Sequence, residues 1–213
     1  MSVALMLATI ATAGAQSAAD RAGELKQWRE RCADYDVDMR LAYIEQAIAE
    51  GDASVIRICS RLALESDDAD IRNLGLRAAL ASMGRLQFDV TIPEVLESAL
   101  KAAGGDRKKL DEISRWYVSR DWEVLQSGLV FEISEANITE GTLVLYAMPR
   151  LTKRSESYSG TATITGSRLV WVGSAYLAQE DCKIDVSLEP GAQLAGTLHC
   201  GKNVPFAIRG SLL

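Results

Sequence analysis

The stretch CKIDVSLEPGAQLAGTLHC, residues 182–200, decides how this chain is read. Folding it about Gly191, in the loop Glu189 to Gln193, sets Leu188 against Leu194, Val186 against Gly196 and Ile184 against Leu198, with Cys182 facing Cys200 at the open end. Every residue of that inward set is apolar, glycine or cysteine. A slip by one residue would turn the whole face to water, so hydrophobic pattern and cysteine pairing demand the same register. A disulfide between Cys182 and Cys200 is therefore expected across the hairpin.

Working outward, Gly166 and Ser167 form a two-residue turn of the type hairpins prefer. Folding there sets Ile164 against Leu169 and Ala162 against Trp171, which leaves Thr161, Thr163 and Thr165 facing outward. Further alternating runs near Leu129 to Ile133, Thr142 to Ala147 and Val204 to Leu212 bring the total to roughly six to eight short strands, which suggests an antiparallel sandwich or a small barrel.

Upstream of Gln126 the period is helical rather than alternating. Asp20 to Ala33 carries Leu25, Trp28 and Cys32 on one stripe; Val37, Leu41, Ile44 and Ile48 make a second, which Gly51 stops. Two helices follow that resemble each other. Asp52, Ala53, Val55, Ile58, Arg61, Ala63, Leu64 and Ser66 align with Asp68, Ala69, Ile71, Leu74, Arg77, Ala79, Leu80 and Ser82, and only the second aliphatic pair and Val55 with Ile71 differ in identity. A short helix begun by an acidic cap and then repeated is the grammar of stacked helical hairpins. The stretch Asp70 to Gly84 resembles a HEAT-type helix, and that resemblance implies a concave helical face. Leu86 to Ile92 reads as an extended link, Pro93 opens a helix to Ala103 closed by Gly104 and Gly105, and Asp106 caps a last one through Trp116 to Trp122. The expected fold class is α+β: a helical domain of stacked, HEAT-like hairpins over residues 16–125, followed by an antiparallel β-sandwich or small β-barrel domain over residues 126–213.

The compartment is read from the N-terminus and the cysteines together. Val3 to Ala13 is apolar and uncharged, too short to span a bilayer and suited to a signal h-region, and Ala13, Gly14 and Ala15 supply small residues for cleavage before Gln16. Residues 1–15 are thus expected to be a signal peptide, although no Lys or Arg precedes Arg21. Of the three connectivities that four cysteines allow, locality favours Cys32 with Cys59 and Cys182 with Cys200. Such bridges persist in oxidising compartments, so a periplasmic or secreted protein is expected. With His199 the only histidine and no CxxC pair, metal ligation by these cysteines is disfavoured.

Charge narrows the partners. There are 16 basic and 21 acidic residues before Gln126, then 7 and 8 after it, so neither half is basic and nucleic acid is a poor partner. No later stretch is apolar enough to span a membrane. Phosphate loops, HExxH and GxSxG motifs are missing, and no cofactor or catalytic residue is indicated. Asp34, Asp36, Asp38 and Glu45 approach the spacing of a calcium loop, but Met39 stands where the sharp turn needs glycine, so capping of the next helix is the better reading. Asp67, Asp68 and Asp70 likewise suit a helix N-terminus. Arg150, Lys153 and Arg154 form the loop best suited to an anionic partner, and Trp171 with Tyr176 would line a sugar site if exposed. The expected function is a non-catalytic binding or scaffold protein engaging another protein of the cell envelope. Two alternatives stand beside it: a carboxylate-dependent envelope hydrolase, which needs acids converging in a cleft, and a carbohydrate-binding module, which needs Trp171 or Tyr176 on an open platform.

Overall fold

The computed structural model describes residues 17–148, 156–177 and 181–212. The expected signal peptide and the basic loop of Arg150, Lys153 and Arg154 lie outside the described residues. Seven helices are found among them: α1 (Ala18–Arg31), α2 (Val37–Glu50), α3 (Ala53–Leu64), α4 (Ala69–Ser82), α5 (Glu94–Ala103), α6 (Arg107–Ser114) and α7 (Tyr117–Leu125). Eight strands accompany them: β1 (Arg85–Thr91), β2 (Leu129–Asn137), β3 (Thr142–Met148), β4 (Ser159–Thr165), β5 (Arg168–Ser174), β6 (Asp181–Glu189), β7 (Gln193–Cys200) and β8 (Phe206–Ser211).

Helix starts follow the acidic caps. Asp36, Asp52, Asp68 and Asp106 each accept two backbone N–H bonds from the first turn of the helix they precede, satisfying donors that have no partner within it. Gly51, at φ 74°, and Gly104, at φ 55°, end α2 and α5 in the left-handed conformation that glycine adopts at little cost. The last expected helix is two: the chain breaks at Arg115 and Trp116, between α6 and α7.

The strands close into one antiparallel barrel in chain order, with β1 pairing to both β2 and β8. Closure leaves no unpaired edge. The β6–β7 ladder pairs Cys182 with Cys200, Ile184 with Leu198, Val186 with Gly196 and Leu188 with Leu194, and β4–β5 pairs Ala162 with Trp171 and Ile164 with Leu169. Inside, Phe88, Phe131, Trp171 and Phe206 are fully buried, and the Phe131 and Trp171 rings meet edge to face at 5.0 Å. Gly160 and Gly173 face each other across β4–β5 and make room for that indole: a Cβ on either would stand 2.7 Å from it.

Helices lie against both ends of the barrel. Arg77 of α4 donates to the carbonyls of Ile138 and Thr139 in the β2–β3 turn, and Asn73 lies beside Gly166 in the β4–β5 turn. At the opposite end the carboxylate of Asp121 in α7 accepts a 2.6 Å bond from the Asn203 amide in the β7–β8 turn. One core joins Leu76, Leu80, Leu96 and Leu125 of the helices to the barrel interior; a smaller one holds Trp28, Ile44, Val55, Ile71 and the Cys32–Cys59 pair where α1 to α4 meet.

The expected fold class is therefore corrected. The helices do not form a clearly separate domain of stacked HEAT-like hairpins, and of the two β architectures expected the sheet is the small antiparallel barrel, closed, and not the sandwich. Leu86 to Ile92, expected as a link, supplies β1, because Leu86 and Phe88 alternate with exposed Arg85, Gln87 and Asp89 and bury against β2 and β8. The resemblance between α3 and α4 is real in their caps and packing, but α4 buries its apolar face in the barrel core instead of extending a stack. Gly75 lets the two helices approach so closely that a Cβ there would stand 2.6 Å from that of Ala63. Both expected disulfides are present, Cys32–Cys59 and Cys182–Cys200. No helix among the described residues is long and apolar enough to cross a membrane.

Candidate functional site

Where α3, the end of α4 and the start of β1 meet, a cavity of about 550 Å³ is lined by Arg57, Ser60, Arg61, Ala79, Ser82, Met83, Gly84, Arg85 and Leu212. Helical geometry places Arg57, Ser60 and Arg61 on one face of α3, the arginines a single turn apart. Gly84 carries the chain from α4 into β1, and Arg85 arrives from the barrel side. Among the described residues no carboxylate forms an ion pair with any of these three arginines, in a chain whose acidic residues outnumber its basic ones 29 to 23. Glu65, one turn after Arg61, lines a different cavity.

Ser60 adds a second anomaly. It is 3% exposed, and its Oγ has no hydrogen-bond partner in the protein. A buried hydroxyl left without a partner costs about 1–3 kcal/mol, and like charges a turn apart on a helix cost a few tenths more. Ser82, by contrast, donates to the Ala79 carbonyl at 2.8 Å. The backbone around Ser60 is anchored, since Cys59 is bridged to Cys32 at the end of α1. The repeat partner of Arg61, Arg77, shows the alternative fate: its guanidinium is bound to turn carbonyls, whereas that of Arg61 is left open to an anion.

The residues expected from sequence are placed elsewhere. Trp171 is sealed inside the barrel and cannot form a sugar platform; Tyr176 is half-buried, edge-on to Tyr158 at 6.0 Å, and burial pushes its hydroxyl up to about 12. Asp34 accepts from the Asp36 N–H, and Asp36 caps α2 through Asp38 and Met39, so the chain is helical from Val37, where a calcium loop would still be open; Glu45 is exposed on that helix. No group of three or more His, Cys, Asp or Glu side chains among the described residues is placed to hold a metal ion. Asp68 caps α4, as its cluster suggested.

Acids do gather near a second junction cavity of about 500 Å³, lined by Glu65, Asp67 and Glu189 together with Arg72. A carboxylic acid that must hold its proton near neutral pH needs an apolar enclosure. These three are exposed, and Glu189 is ion-paired with Arg209 at 3.2 Å. The arginine cavity was not visible in the sequence as a site. The available signal was Arg57, which has Ala53, Ser54, Ser60 and Arg61 one turn away in either direction and therefore no helical partner for its charge.

No family model, curated protein or solved structure matches this chain.

Proposed function

We propose that this protein acts by binding rather than catalysis, outside the cytoplasm, and that it holds an anionic group of another envelope component in the cavity between α3, α4 and β1. The observation that carries this reading is the convergence of Arg57, Arg61 and Arg85, none of them ion-paired among the described residues, on one cavity. Unpaired guanidiniums around a concave surface are poised for carboxylate or phosphate, which they grip through paired N–H donors. Exposed ion pairs contribute little to folding, so the chain would gain little from neutralising these residues itself and loses nothing by leaving them for a ligand. The two disulfides support an oxidising compartment, and a protein held together by such bridges suits a periplasmic or secreted binding role.

The test is a comparison of captures from envelope extract by the intact chain and by an Arg57→Glu, Arg61→Glu variant. The reading expects a component retained by the first and lost by the second. Equal retention of everything by both would refute it.

A further inference from the structure

Resting on that anion-binding reading, we propose that the group held in the arginine cavity is a tetrahedral dianion, a phosphate ester, whose organic remainder lies along the apolar wall made by Ala79, Met83 and Leu212. Three features of the cavity carry this. The first is charge. Arg57, Arg61 and Arg85 bring three positive charges with no carboxylate paired to them among the described residues, and a single carboxylate would neutralise only one. A phosphate monoester carries close to two negative charges at neutral pH.

The second is donor count and direction. Each guanidinium presents N–H groups in a rigid fork, and the forks arrive from two sides, Arg57 and Arg61 from α3 and Arg85 from β1. A planar carboxylate has two oxygens in one plane and is saturated by one or two forks. The three terminal oxygens of a phosphate ester spread over a tetrahedron and accept from all three. The third is size. At about 550 Å³ the cavity far exceeds a free phosphate, and its wall changes from guanidinium and hydroxyl to alanine, methionine and leucine side chains, as an ester with a carbon skeleton requires.

Calorimetric titration tests this with inorganic phosphate, glycerol 1-phosphate, and succinate, a dicarboxylate of the same charge. The expected order is glycerol 1-phosphate tightest and succinate at least about tenfold weaker, with affinity falling as salt rises. Arg57→Gln with Arg61→Gln is expected to weaken glycerol 1-phosphate by about a hundredfold, one factor of ten for each lost charge-assisted contact. The circular dichroism spectrum of the double variant is expected to stay that of the parent. Succinate binding as tightly as the ester, with both dependent on the arginines, would overturn the phosphate assignment and leave the anion-binding reading intact. No binding of any of the three anions, or binding indifferent to the double substitution, would overturn both. Sedimentation with phosphatidic acid vesicles against neutral vesicles then separates the sources: arginine-dependent co-sedimentation supports a lipid phosphate, and glycerol 1-phosphate binding without it supports a soluble or polymer-borne ester.

Discussion

Replacing Ser60 by alanine should make the ligand-free protein more stable, which is unusual for a substitution at a buried position in a helix. The side chain is 3% exposed and its hydroxyl has no partner in the protein, so the folded state carries the desolvation penalty of a polar group without a compensating bond. Removing it recovers about 1–3 kcal/mol. Alanine also favours the interior of α3 over serine by about 0.5 kcal/mol. The oxygen-sized void left behind, on the order of 15 Å³, costs only about 0.4 kcal/mol at the usual price of cavity volume. The net gain is about 1–3 kcal/mol, and for a chain of this size each kcal/mol moves Tm by about 2–4 °C. Differential scanning calorimetry should therefore show a rise of roughly 2–12 °C, and urea denaturation a higher midpoint at unchanged slope. Ser66 is the internal control. It is also buried, at 6% exposure, but its hydroxyl accepts from the Asp68 N–H at 3.2 Å, so Ser66→Ala should destabilise by about 1 kcal/mol. A fall in Tm for Ser60→Ala equal to that of Ser66→Ala would show that the Ser60 hydroxyl is satisfied in the folded protein and refute the reasoning.

Two further expectations bear on the fold and its electrostatics. Phe88→Ala removes a fully buried ring that meets Phe131 at 6.4 Å on the strand that closes the barrel, so it should cost about 3–5 kcal/mol in denaturant titration, and a loss below about 1 kcal/mol would mean that β1 is not part of the core. Hydrogen bonds first from Arg168 and then from Lys183 hold the Asp185 carboxyl down to about 2, below its ordinary 3.8, so its contribution to stability is present above about pH 4 and is lost between pH 4 and pH 2. Because the cluster is largely exposed the contribution is small; Asp185→Asn should flatten the acid limb of the stability curve in that window, and an unchanged acid limb would refute the pairing.

Much of the local architecture could be read along the chain because it rests on short-range physics. The register of β6–β7 was visible because a period of two, a glycine-containing turn and two cysteines all agree, and a slip by one residue exposes Ile184, Val186 and Leu198. The acidic caps at Asp52, Asp68 and Asp106 were visible because a side-chain carboxylate can reach the N–H groups of the very next turn. The strand at Arg85–Thr91 was harder to read. Its alternation is short, it lies between helices, and what makes it a strand is pairing with Leu129–Glu132 and with Ala207–Gly210, the latter more than a hundred residues away in the chain. Trp171 was legible in part, since its pairing with Ala162 opposite the outward threonines turns it inward; what only the closed barrel shows is that the glycines at 160 and 173 make room for its indole.

The candidate site divides along the same line. Sequence by itself determined the two disulfides, the strand registers near them, the helix starts and the poverty of catalytic motifs, since each depends on neighbours a few residues apart or on composition. Only the tertiary structure decided that the β1 segment closes a barrel, that α4 packs on that barrel rather than on further repeats, and that Arg57 and Arg61 of one helix meet Arg85 of a strand around a buried serine. The reason is that a binding site of this kind is a matter of which charges remain unpaired once the chain has folded. Arg61 and Arg77 occupy matching places in two similar helices, yet one donates to turn carbonyls and the other faces the cavity, and nothing local to either residue distinguishes them.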